Sequence, residues 1–159
     1  MEERASSEIL ALASPPVTID SDATIGEAAQ LMGTAHIGSI VVTEQGRPIG
    51  LVTDRDLAMA ALLRPKGSDL PSTGSVASRP LLSLQHDASL VDATTLFQRH
   101  CIRRVGVLDA TGTLVGVLSA DSVLQSLGRP LDDMSKALAR ELSEERDPSP
   151  SSNSTYGPG

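Results

Sequence analysis

Apolar and polar residues follow two periods along this chain, and the two periods recur in the same order twice. Val17-Thr18-Ile19 and Leu82-Ser83-Leu84 alternate with period two, as short strands do. Ile25, Ala28, Ala29 and Met32, and later Leu90, Ala93, Leu96 and Phe97, recur at the three-to-four spacing of one buried helix face. Thr24 with Glu27, and Ser89 with Asp92, have the spacing of a capping box or its shorter-acid variant at the start of those helices. Ile40 to Thr43, a turn through Gln45-Gly46, and Pro48 to Val52 predict a hairpin. Arg104 to Asp109, a turn at Gly112, and Leu114 to Leu118 predict its counterpart. A second helix closes each copy, over Asp54 to Leu63 and Ala120 to Leu127.

Self-comparison makes the repeat explicit. Slid by 65 positions, Asp22–Ala28 falls on Asp87–Ala93, Pro15 on Pro80, Ile37 on Ile102 and Val42 on Val107. One inserted residue then shifts the offset to 66, and Gly50 meets Gly116, Thr53 meets Ser119, and Leu57 meets Val123. The expected fold is α+β (sandwich-like): two pseudo-symmetric β-α-β-β-α repeats packed sheet to sheet, because a unit this small with one apolar sheet face is marginal alone. The expected organisation is a lead-in over 1–14, a first repeat over 15–63, and a linker over 64–78 with a short helical lead-in. A second repeat over 79–127, an amphipathic helix over 128–146 and a disordered tail over 147–159 follow. Breakers in Arg64 to Thr73 suit an exposed connection. Gly128 is expected to stop one helix and Pro130 to open the next. That next helix carries the stripe Leu131, Met134, Leu138 and Leu142, either as a cap on the chain's own core or as a dimer or partner helix.

Composition narrows the function. Of 159 residues only Phe97 and Tyr156 are aromatic, so no surface can stack bases on rings. Thirteen basic against 20 acidic residues give a net charge of −7, without a basic stripe for a phosphate backbone, and nucleic-acid partners are not expected. The longest apolar run, Leu57 to Leu63, is too short for a membrane span, and Met-Glu-Glu-Arg does not open a secretory signal. No membrane association and a cytoplasmic location are therefore expected. Cys101 is the one cysteine and is expected to pack as a small hydrophobe. His36, His86 and His100 lack metal-ligand spacing, and no catalytic pairing or phosphate loop stands out, so neither a metal site nor enzymatic activity is expected.

The chain resembles tandem cystathionine-β-synthase-type (CBS) domain pairs, known as Bateman modules. The family signature G-h-x-h-[ST]-x-x-[DN] is matched by Gly50-Leu51-Val52-Thr53-Asp54-Arg55-Asp56, with one strand position shifted. Gly116-Val117-Leu118-Ser119-Ala120-Asp121-Ser122 keeps the hydroxyl and replaces the final acid with Ser122. Ile102-Arg103-Arg104-Val105-Gly106-Val107-Leu108-Asp109 is similar to the family's basic strand, and the resemblance covers roughly residues 8–127. It implies a non-enzymatic sensor without a catalytic cofactor, binding AMP, ADP, ATP, S-adenosylmethionine or sometimes NAD in clefts between repeats. It also implies a homodimer forming a four-repeat disc that regulates an effector protein.

By that resemblance Asp56 would hold ribose hydroxyls, Thr53 and Ser119 the ribose or phosphate, and Arg103 or Arg104 the phosphate. Adenine would sit near Val17, Ile19, Ile37 and Gly38. Thr53-x-x-Asp56 is equally an ordinary helix cap, and Ser119 with Ser122 reads better as a cap alone, leaving the second cleft weaker or empty. Side chains alternate along a strand, so Arg103 and Arg104 are expected not to line one cleft together, and Arg104 is favoured. The competing reading is a disc that has lost ligand binding and serves as a scaffold through its terminal segments.

Overall fold

The computed structural model describes residues 8–146, with side chains described as far as Leu142. Its elements are α1 (Glu8–Leu12), β1 (Thr18–Asp20), α2 (Ile25–Ala35), β2 (Ser39–Glu44), β3 (Arg47–Thr53), α3 (Asp54–Leu63), α4 (Thr73–Val76), β4 (Ser83–Gln85), α5 (Leu90–His100), β5 (Arg104–Leu108), β6 (Leu114–Ser119) and α6 (Ala120–Arg146). Both repeats lie in one compact unit ending at Val123, and α6 from Leu124 onward belongs to a second. The tail expected from Asp147 lies outside the described residues.

Each repeat is a three-stranded sheet, in the orders β1-β2-β3 and β4-β5-β6, with its first pair parallel and its second antiparallel. The registers break at equivalent places, Val42/Thr43 and Val107/Leu108, so the repeat extends to the irregularities. The two sheets pack together, as the pattern predicted. Each first strand begins one residue later than the alternation suggested. Val17 and Leu82 contribute only their carbonyls, accepting from the Val41 and Gly106 N–H groups at 2.9 Å.

The capping boxes form as predicted. Thr24 and Ser89 each accept from the third helical N–H, while Glu27 and Asp92 reach back to the cap N–H. In Glu27 the backbone N–H and then the hydroxyl of Thr24 hold the carboxyl below its ordinary value of 4.5. In Asp92 the Ser89 hydroxyl comes first, and in Asp109 the Thr111 hydroxyl, each lowering the carboxyl from 3.8. A carboxyl depressed by folding binds fewer protons in the native state than in the unfolded chain. Its stabilisation is present above the unfolded value and disappears as pH falls through the folded one. Thermal unfolding followed by circular dichroism should therefore give a flat melting temperature near neutrality and a decline below about pH 5. A melting temperature that holds or rises from pH 5 to pH 3 would contradict these caps.

Two cores form, and each borrows from outside its own repeat. Ile25, Ala28 and Met32 of α2 meet Ile40, Val42, Val52 and Leu57, with Val76 and Ala77 from the segment leading into the second repeat packed against them. Ala93, Phe97, Val105, Val107, Leu118 and Val123 form the other core around Ile9, which lies in α1 ahead of the first repeat and is 0% exposed. Backbone pairing repeats the exchange. Ser14 bonds both ways with Val117 at 2.9 Å, and Ser78 with Leu51 at 3.1 and 2.9 Å. Each leader thus covers the edge strand of the opposite repeat.

Gly50 and Gly116 permit that approach. A Cβ at Gly50 would stand 2.6 Å from the Ser78 carbonyl oxygen, and one at Gly116 would stand 2.8 Å from the Ala13 Cβ. The end of the linker is consequently less exposed than its breakers suggested. Thr73 is fully buried, and its hydroxyl donates to the Asp20 carbonyl at 2.6 Å.

Two further expectations need correction. Gly128 and Pro130 do not divide two helices, since α6 runs through both. A proline removes one backbone bond at a cost of about 3 kcal/mol and bends a helix without having to end it. Leu131, Met134, Leu138 and Leu142 are exposed along that helix. Cys101 is exposed rather than packed. It caps α5 in the left-handed conformation at φ 52°, as His36 caps α2 at φ 53°, and its Sγ lies 3.8 Å from the Gln98 carbonyl oxygen.

Candidate ligand clefts

The pseudo-symmetric packing leaves two clefts, each built from the hairpin end of one repeat and the leader of the other. The first has a volume of about 350 Å³. Leu51, Thr53, Asp54, Arg55 and Asp56 come from the β3–α3 junction, facing Ser78, Pro80, Leu81 and Leu82 ahead of β4 and Ile102, Arg103 and Arg104 at the start of β5. The second, of about 250 Å³, sets Val117 and Ser119 against Ser14, Pro15, Val17, His36, Ile37, Gly38 and Ser39, with Arg104 again in its lining.

In the first cleft Thr53 ends β3 in extended conformation (φ −112°) and caps α3. Its hydroxyl and N–H both donate to Asp56 Oδ2, at 2.7 and 2.8 Å, while Thr53 Oγ1 accepts from the Asp56 N–H at 3.3 Å. The cap is therefore real, and it leaves Asp56 Oδ1 without a hydrogen-bond partner among the described residues. A half-buried carboxylate with one oxygen committed and one free can take hydroxyl donors from a ligand. The helix start beside it presents backbone N–H groups and the positive end of the helix dipole.

The second cleft differs at the same place. Ser119 Oγ accepts from the Ser122 N–H at 3.1 Å and lies 2.8 Å from Ser122 Oγ, so a pair of hydroxyls stands where the first cleft has a carboxylate.

The predicted residues divide between the clefts in a way the sequence reading had not anticipated. Thr53, Asp56, Arg103 and Arg104 line the first. Val17, Ile37 and Gly38 line the second, with Ser119. Ile19 lines neither and packs against the first core. The apolar wall facing Thr53 and Asp56 is formed instead by Pro80, Leu82 and Ile102, the 65-residue counterparts of Pro15, Val17 and Ile37. The self-alignment names those counterparts. What it lacked was the crossing of the repeats, which sets each helix start against the other repeat's first strand.

Arg103 and Arg104 do line one cleft together. Arg103 precedes β5, so strand alternation does not govern it. Its guanidinium is committed to Asp121 at 2.9 and 3.1 Å, whereas that of Arg104 has no hydrogen bond or ion pair among the described residues. Among the described residues, no cluster of three or more metal-ligating side chains occurs, and no helix is long and apolar enough to cross a membrane.

Two crossed β-α-β-β-α repeats with a cleft at each helix start define a paired-repeat module. The CBS domain model matches residues 7–63 and 74–129, and the chain belongs to that family. CBS domains are in general regulatory and non-catalytic. The CBS domain-containing protein YhcV of Bacillus subtilis is 37% identical over 102 residues, covering 64% of this chain and 71% of YhcV. The uncharacterised protein MK0525 of Methanopyrus kandleri is 32% identical over 103 residues, 64% of this chain and 53% of that protein, so the match spans about half of this second relative. Among solved structures, the CBS domain protein PAE2072 of Pyrobaculum aerophilum, complexed with AMP, superposes with a TM-score of 0.65 at 29% identity. The superposition covers 76% of this chain and 98% of PAE2072.

Proposed function

We propose that this chain is a non-enzymatic sensor that binds an adenosyl nucleotide in the first cleft and signals by a change in conformation or assembly. The observation carrying the reading is Asp56 Oδ1 at the start of α3, opposite an apolar wall and beside Arg104, both without a partner among the described residues. Ribose hydroxyls would donate to Asp56 and adenine would lie against Leu82 and Ile102. The phosphate would meet Arg104 and the N–H groups of the helix start. The AMP complex of PAE2072 supports this ligand class. The ligand would be AMP, ADP, ATP or S-adenosylmethionine, and two chains would form a four-repeat disc that presents the bound state to an effector protein. A ligand shifts such an equilibrium only by its difference in affinity for the two states.

Thermal unfolding with AMP, ADP, ATP, S-adenosylmethionine and NAD in millimolar excess tests the reading. A ligand at about 100 times its Kd stabilises by roughly 2.7 kcal/mol, a shift of several degrees for a chain of this size. One ligand class should stand out. No shift from any of them, in folded protein free of copurified nucleotide, transfers support to a ligand-free scaffold acting through its terminal segments. The closed Thr53–Asp56 cap and the loss of the acid at Ser122 already fit that second reading.

A further inference from the structure

Among the described residues, Arg104 is the one that lines both clefts. Its surroundings explain how it reaches both. The 65-residue counterparts of Arg103 and Arg104 in the first repeat are Gly38 and Ser39, so the first repeat brings no cation to this place. A Cβ on Gly38 would stand 3.6 Å from the Arg104 guanidinium and 3.4 Å from Asp54 Oδ2, so the guanidinium lies over bare backbone of the opposite repeat. A symmetric module would bring an arginine from each repeat, and this one brings a single arginine to both clefts.

The other charges do not replace it. Arg103 is tied to Asp121. Arg55, in the first turn of α3, lines the first cleft alone and so supplies no cation to the second. In the second cleft the remaining titratable group is His36.

Resting on the nucleotide reading above, we propose that the two clefts compete for Arg104, so that a phosphorylated nucleoside in one excludes or weakens a second in the other. Nucleosides without phosphate escape this coupling, because they make no demand on the guanidinium. The module then reports which adenosyl compounds are present by stoichiometry as well as by affinity: one phosphorylated ligand per chain, against two uncharged ones where both clefts hold ribose.

A weak second cleft alone would also give one AMP per chain, so the test first equalises the clefts. Ser122→Asp restores beside Ser119 the carboxylate that Asp56 provides beside Thr53. Isothermal titration of this variant with adenosine should show two sites of similar affinity per chain. AMP should show two sites differing by about tenfold or more. Adding Ser39→Arg, which supplies the missing counterpart cation, should bring the second AMP site to within about threefold of the first. Arg104→Leu should weaken AMP while leaving adenosine nearly unchanged.

Two equal AMP sites in Ser122→Asp would overturn the sharing while leaving the nucleotide reading intact. So would a single site for adenosine, or an AMP gap that Ser39→Arg leaves unaltered, which would point to repulsion between phosphates. Binding of neither compound by the unmodified protein would overturn the nucleotide reading and the sharing with it.

Discussion

Ile9→Ala should destabilise the protein by about 2–5 kcal/mol, the usual cost of emptying a fully buried aliphatic site. Sequence position alone would suggest a much smaller effect, since Ile9 precedes the first repeat by several residues. Its side chain nevertheless stands among Phe97, Val105, Val107 and Leu118, all of the second repeat, with no exposed surface. Whole domains are stable by only about 5–15 kcal/mol, so the loss would be a large share of the total. The location of the damage is the stronger prediction. Amide exchange should rise first in β5, β6 and α5, while β2 and β3 keep their protection for longer. A urea-unfolding loss below about 1 kcal/mol, or exchange that rises first in the first repeat, would show that α1 does not complete the second core.

Asp56→Asn should lower AMP affinity by about a hundredfold, because hydrogen bonds from ribose hydroxyls to a carboxylate contribute more than those to an amide. The variant retains an oxygen for the Thr53 N–H and so keeps most of the cap. The unliganded protein should lose no more than about 1 kcal/mol. Comparing the two effects separates the roles of this side chain. A cap alone predicts a small stability loss and unchanged ligand binding, whereas a ribose ligand predicts the reverse weighting. Ser122→Asp provides the opposite control, adding a carboxylate at the equivalent place in the second cleft.

The repeats, their order of elements along the chain and the capping boxes were legible because they rest on local patterns: period two, period 3.6, and a hydroxyl three residues before an acid. The exchange of leaders was not legible in the same way. Ile9 to Ala13 reads as a short apolar lead-in whichever core it enters, and only the tertiary crossing assigns it to the second. The same crossing explains why Val17 and Ile37 fall in the cleft without Asp56, while Leu82 and Ile102 fall in the cleft with it. Arg103 was misplaced for a narrower reason. It lies one residue outside β5, where the backbone bends and strand alternation does not hold. The missing N–H of Pro130 suits a helix start, yet a helix can carry it internally at a cost, as α6 does.

The crossed leaders also set what can be cut out of this molecule. A break between Arg64 and Leu70 would leave one piece carrying the helix that fills the other's core, and the other piece carrying the turn that closes the first. Neither half owns a complete interior, so each would be a ligand for its sibling before it was a domain. The smallest inheritable part is therefore the pair. Moving it intact into another chain carries both clefts along, whereas moving half leaves a sheet with an uncovered edge and a hole where its neighbour's leader belonged.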